Sequence, residues 1–146
     1  MRYLTILYRL AVALWLGGAA LFTFVLTPAL FSGFDRDMAG KIVGVLFPGY
    51  FLWGLLCGLA ALGALGFLKI QRKSLPTAIL AAMLLVTSIQ AFYIEPKAAE
   101  LKKEIPSFVT TPADHPKRQE FRNLHAISSA GNLGVISGGL ALLLLF

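Results

Sequence analysis

Charge is what this sequence has least of. Asp, Glu, Lys and Arg make up 14% of the residues, against roughly 25% in an ordinary soluble domain. Four stretches carry none at all: residues 10–34, 42–68, 74–94 and 123–146, together 97 of 146. About 20 apolar residues suffice for a helix to cross a bilayer. These gaps exclude a soluble globular domain and a disordered chain. Cysteine is nearly absent too. Cys57 stands alone, which excludes a disulfide within the chain and any paired-cysteine redox or zinc pattern. The two histidines, His115 and His125, lie about 15 Å apart along a continuous helix and roughly 80° out of phase, so they do not share one ion. There is no Ser/His/Asp set, phosphate loop or dinucleotide fingerprint, and an enzyme reading has little to rest on.

What is present is apolar bulk and a basic excess: 58% hydrophobic residues and a formal charge of +6. The basic residues flank the uncharged runs, where such residues serve topology, and no nucleic-acid partner is expected. The expected fold is all-α: a single integral membrane four-helix bundle over 1–146, antiparallel, with both termini on one side. The spans fall at about 4–31, 39–68, 75–95 and 117–146. The first is far longer than the 7–15-residue core of a signal peptide and should be retained. Asp35 in the short 32–40 connector reads as a helix cap. Pro96 should kink the third span, and the helix-forming Lys97–Glu104 stretch prolongs it outside the bilayer at about 97–104. Asp114 followed by Pro116 reads as a helix start, with a matching extension at about 116–122.

Arg2, Arg9, Lys69, Arg72 and Lys73 share one side with no acidic residue. The other side has more basic residues but much longer loops and all seven carboxylates. Because short loops and the first span carry the topology signal, the termini and the 69–74 loop are expected in the cytoplasm of a multi-pass cell-membrane protein.

Polar residues gather at one end of such a bundle. Thr27, Tyr50, Gln90, Tyr93, Glu95, His125, Ser128 and Asn132 fall in the same half, while the other half is mostly Leu, Ala and Gly. Phe121, His125, Ser128 and Asn132 share about a 60° arc of the fourth span. Polar groups are costly in lipid and should face the interior. Two readings follow. One is structural, with each hydrogen bond between spans contributing roughly 0.6–2 kcal/mol. The other is a polar cavity that binds a ligand through Gln90, Tyr93, Glu95, His125, Ser128 and Asn132. His125 is the best single candidate for a metal or proton-responsive group.

Small residues mark expected helix contacts: Gly17 and Gly18 on the first span, Gly54 and Gly58 on the second, Gly134 and Gly138 on the fourth. They serve packing within the bundle or a homo-oligomer. Arg9 shares the Ala13/Gly17 face and is expected to point inward. Trp15, Trp53, Tyr3 and Tyr8 read as packing or interface residues.

The segments LWLGGAALFTFVLTPALF (14–31), AGKIVGVLFPGYF (39–51), Ile94-Glu-Pro96 and FRNLHAISSAGN (121–132) resemble the transmembrane-protein-205-like family, whose domain is known as domain of unknown function 4149. The clearest matches are Trp15-Leu-Gly-Gly18, Phe47-Pro48, and Phe121, Leu124, His125, Ser128 and Asn132. The resemblance implies a four-helix membrane protein without an assigned activity. A more distant similarity to copper-resistance D and membrane protoporphyrinogen-oxidase proteins raises haem or copper as cofactors, although this chain has no multi-histidine ligand set. Three functions therefore stand open: handling of a small solute or ion through the polar end; a haem- or copper-binding redox protein with His125 as ligand; and a structural or assembly factor for other membrane proteins.

Overall fold

The fold is seen in a computed structural model that describes residues 2–69 and 73–145. Residues 70–72 of the expected connector, and Phe146 at the end of the fourth span, lie outside the described residues.

Four long helices account for nearly all of it: α1 (Arg2–Gly33), α2 (Arg36–Phe67), α3 (Ser74–Lys103) and α4 (Pro116–Leu145). No strand occurs among the described residues. At 1.5 Å per residue, helices of 30–32 residues reach about 45–48 Å, well beyond a hydrocarbon core of about 30 Å. The surplus sits mainly at the end where the charged residues cluster. Each helix is long and apolar enough to cross a membrane, and the outer surface agrees: Val45 is 75% exposed, Phe67 77% and Leu144 87%. A surface this apolar suits acyl chains rather than water.

Local chemistry explains where the helices begin and bend. The Asp35 side chain accepts from the Met38 amide at 2.9 Å and starts α2, satisfying one of the free N–H groups of a helix N-terminus. At α4, His115 takes the capping place: its Nδ1 accepts from the Lys117 amide at 3.3 Å, whereas the sequence had pointed to Asp114. In α1 and α3 the backbone passes through a π-turn, at Phe22–Leu26 and Gln90–Ile94. Each ends just before an X-Pro step, Thr27-Pro28 and Glu95-Pro96. Proline has no N–H to offer the carbonyl four residues back. The residue before it bonds five residues back instead, Thr27 to Phe22 and Glu95 to Gln90. Pro96, where a kink is expected, follows a π-turn that begins at Gln90 and ends at Ile94.

The helices close into a ring in which α1 touches α2 and α4, and α3 touches the same two. Contact pairs run in opposite chain order across each seam. Gly18 lies against Trp53 while Gly58 lies against Trp15; Gly131 lies against Gln90 while Gly138 lies against Met83. The core is built on Tyr8, Val12, Trp15, Ala61, Leu65, Leu80, Met83 and Leu142. Two of the small positions are essential to it. A methyl on Gly58 would sit 2.5 Å from both Leu84 and Trp15, and one on Gly54 would sit 2.8 Å from the Trp15 indole nitrogen. Gly18 and Gly138 are also close to neighbouring side chains, but Gly17 and Gly134 face open space. Arg9, Ala13 and Gly17 are all exposed. The expectation that Arg9 points inward is overturned: the buried face of α1 runs through Tyr8, Ala11, Val12, Trp15 and Ala19, which turns the Arg9/Ala13/Gly17 stripe outward.

Candidate functional site

The polar residues of the charged end occupy three places. The first lies inside the bundle. Asn132 on α4 accepts from the Tyr50 hydroxyl of α2 through Oδ1 and donates through Nδ2 to the Thr23 hydroxyl of α1. One amide thereby joins three helices. Close by in α4, Ser128 receives the Gln90 side chain of α3: Nε2 donates to its carbonyl at 2.6 Å and lies 3.3 Å from its hydroxyl. Gln90 is 3% exposed. Both partners of α4 stand in π-turns, Thr23 in the first and Gln90 at the head of the second. π-turns are frequent at functional sites. Around Tyr50 the rings of Phe22, Phe47 and Phe51 complete an aromatic layer, with Phe22 stacked on Tyr50 at 4.5 Å between centroids. Thr23 was not among the residues singled out in the sequence. Its spacing of four from Thr27 was the available signal.

The second place joins α2 to the extramembrane part of α3. Lys102 donates to the Gly40 carbonyl at 2.5 Å and lies in the fields of Glu95 and Asp37. Glu95 belongs here, half-buried beside Lys102. Tyr93 is 63% exposed on the outer surface of α3.

The third place holds His125. A cavity of about 220 Å³ is lined by Arg36, Phe108, Ala113, Arg118, Phe121, Arg122 and His125. Four of these, Arg118, Phe121, Arg122 and His125, repeat at i, i+3, i+4 and i+7 and so share one face of α4. Arg36 reaches it from the start of α2, and Phe108 and Ala113 from the 104–115 connector. Asp37 builds that connector's turn. Its Oδ1 accepts from the Phe108 amide at 2.6 Å and its Oδ2 from the Ser107 hydroxyl at 2.5 Å. Ser107 Oγ in turn accepts from Val109 at 3.0 Å. Asp37 lies before the uncharged stretch of α2, outside the membrane crossing. These two donors hold its carboxyl below the usual carboxylate range, the Ser107 hydroxyl being the larger influence.

Phe108, fixed in this way, meets Phe121 edge-on at 4.9 Å and receives the Arg118 guanidinium 5.6 Å above its ring. Arg118 also donates to the Thr111 carbonyl. The Phe121 and His125 rings lie parallel, 6.4 Å apart. Two ion pairs, Lys117–Glu104 at 2.8 Å and Lys97–Glu120 at 3.7 Å, tie the α3 extension to the first turns of α4.

The six residues expected to form one cavity are thus divided. Gln90 and Ser128 meet each other, Asn132 meets Tyr50 and Thr23, Glu95 lies near Lys102, Tyr93 faces outward, and His125 lines a cavity with no residue from α3. The stripe on α4 was legible; its division was not, because it depends on how the 104–115 connector folds over the first turns of α4. The three arginines and Phe108 were the residues that sequence reasoning did not assign to a site.

For metals, the geometry offers little. Among the described residues, no three His, Cys, Asp or Glu side chains come together as a metal-binding group. Cys57 is buried in the core, and Met83 lies against Gly138. The cavity beside His125 is below the roughly 300–1,000 Å³ of sites that enclose a drug-sized ligand, too small to enclose a porphyrin. A second hollow, about 320 Å³, is lined only by Met38, Lys41, Ile42, Val45 and Leu46 of α2; with a single helix behind it, it is a surface groove.

Comparison with known proteins yields no match among curated proteins and none among solved structures. One family description does match, over residues 10–107, which takes in α1, α2 and α3 and stops short of Phe108 and all of α4. That stretch is about two thirds of the chain, and it shows that this protein belongs to the family catalogued as a domain of unknown function, DUF4149.

Proposed function

We propose that this multi-pass membrane protein binds a small anionic solute at the charged end of its helix bundle, in the cavity bounded by Arg36, Arg118, Arg122 and His125. The observation that carries the reading is the lining itself: three guanidiniums and an imidazole face one space, with no carboxylate among the lining residues. Four of the carboxylates at this end are engaged elsewhere. Asp35 caps α2, Asp37 holds the Ser107–Phe108 turn, Glu104 pairs with Lys117 and Glu120 with Lys97. Arg118 is already oriented by the Thr111 carbonyl and the Phe108 ring. Such pre-organisation lowers the entropic cost of gripping an anion, and guanidinium forks suit carboxylate and phosphate oxygens.

The interior set of Thr23, Tyr50, Gln90, Ser128 and Asn132 makes its hydrogen bonds within itself. In this reading it holds the spans together while the ligand is taken at the bundle mouth. The basic density of the short-loop side supports cytoplasmic termini; in this reading the cavity faces the opposite compartment.

The test is equilibrium binding of inorganic phosphate, sulfate and a short-chain dicarboxylate to the purified protein in a neutral detergent. Arg122→Gln is expected to weaken binding about tenfold, the loss of one charge-assisted hydrogen bond. Binding that is absent, or unchanged in Arg122→Gln and His125→Ala alike, would remove the cavity from the function.

A further inference from the structure

We infer that the anion this cavity takes is the phosphate of an anionic membrane lipid, its phosphodiester held by Arg36, Arg118 and Arg122 and its glycerol resting on Phe108 and Phe121. The inference rests on the anion-binding reading above and names the ligand class.

Depth is the first argument. The uncharged run of α4 begins at Asn123, directly after Arg122. His125 lies three residues further in, about 4.5 Å along the axis. On α2 the uncharged run starts at Ile42, six residues or about 9 Å past Arg36. The lining therefore straddles the level where the hydrocarbon ends and lipid phosphates begin. At that depth a lipid headgroup is already present, whereas a free solute has to be drawn from the water.

Wall chemistry is the second. A site for a fully hydrated ion would be polar on all sides. Here Phe108, Phe121 and Ala113 share the lining with the cations, and the two rings meet edge-on at 4.9 Å. That mixture matches a charged phosphate joined to an apolar glycerol ester.

Size and charge are the third. About 220 Å³ admits the head of a larger molecule while its chains remain in the bilayer. Arg36 and Arg122 make no ion pair or hydrogen bond with the rest of the described chain, so their charge is available to an incoming phosphate.

The experiment places the protein in phosphatidylcholine nanodiscs doped with phosphatidylglycerol, then extracts it into neutral detergent and measures retained lipid by native mass spectrometry. Three proteins are compared: the unaltered chain, Arg36→Gln/Arg122→Gln, and Lys41→Gln/Lys103→Gln, which loses the same charge outside the cavity. Thermal melting confirms that all three are folded. A parallel arm titrates each with inorganic phosphate and with soluble glycerol 3-phosphate. The expected result is enrichment of phosphatidylglycerol over phosphatidylcholine on the unaltered chain and on the lysine variant. Enrichment should fall about tenfold or more in the arginine variant, the scale of a lost hydrogen bond to a charged group. Equal loss in both variants would overturn the inference, since general basicity would then explain retention. Phosphate binding that needs Arg36 and Arg122, without lipid enrichment, would also overturn it and leave the anion site standing. Binding of neither would end both readings.

Discussion

The Tyr50 hydroxyl donates to Asn132 across the bundle, from α2 to α4, two helices that are not neighbours in the ring. The same amide donates on to Thr23 of α1. A single side chain thus fixes the rotation of three helices about one point, and what it binds decides how the charged end of the bundle is shaped.

Removing Asn132 should cost more than removing either partner. Tyr50→Phe deletes one hydrogen bond and leaves Asn132 its bond to Thr23. Asn132→Leu deletes two and strands both hydroxyls. Hydrogen bonds between membrane helices contribute roughly 0.6–2 kcal/mol each, so Tyr50→Phe should lose about 1 kcal/mol and Asn132→Leu about twice that. The double variant should lose little more than Asn132→Leu alone. Unfolding in detergent micelles, followed by circular dichroism, reads all three.

The glycines should divide by what lies above them. A side chain at Gly58 meets Trp15 and Leu84 at 2.5 Å, and both belong to or pack on the core. Gly58→Val should lower the melting temperature sharply, in the range of about 1–3 kcal/mol for overpacking. At Gly134, where nothing lies within 4 Å, Ala should be neutral or slightly stabilising because it improves helix propensity by up to about 1 kcal/mol. Comparable losses at the two sites would place Gly134 in a contact with a second chain.

Lys102 and Lys117 both bridge elements at the charged end, and the half-buried Lys102 should matter more. Lys102 bonds the Gly40 carbonyl and lies near Glu95 and Asp37; Lys117 pairs with Glu104 on the surface. Exposed ion pairs are worth about 0–1 kcal/mol. Lys117→Met should leave the melting temperature nearly unchanged, while Lys102→Met removes the tie from α3 to the Gly40 carbonyl and the cation beside Glu95 and Asp37, and should lower it visibly.

The 104–115 connector should loosen in acid. Asp37 is held below its ordinary value of 3.8 by the Ser107 hydroxyl and the Phe108 amide. A depressed folded-state value means that the carboxylate contributes stability above the ordinary value and loses it as pH falls through the depressed one. Hydrogen exchange at the Phe108 amide should stay slow from neutral pH down to about 4 and quicken below it, after correction for intrinsic rates. Asp37→Asn should show fast exchange at every pH.

Much was legible without coordinates because membrane solvation writes itself into composition. The four uncharged runs announce four crossings, and the Asp35 cap and the proline positions bracket the helices. Other features were not legible. Arg9 was expected inside because it shares a face with Ala13 and Gly17, yet small residues suit a lipid-facing surface as well as a packed one. The buried face of α1 is the aromatic one through Tyr8 and Trp15. The two π-turns shift the register of α1 and α3 by one residue, so a fixed 100° periodicity misjudges which side chains meet α4. Thr23 stands in the first of these turns and Gln90 at the head of the second.

The sequence alone determined that this is a four-crossing membrane protein with its polar groups at one end, because hydrocarbon tolerates neither charge nor unpaired backbone and thereby dictates length and composition. Only the tertiary structure decided that those polar groups serve different ends. Asn132 and Gln90 are spent on helix contacts within the bilayer. Arg36, Arg118, Arg122 and His125 are gathered around open space by a connector whose turn hangs on Asp37, a long-range contact between residues some seventy positions apart in the chain.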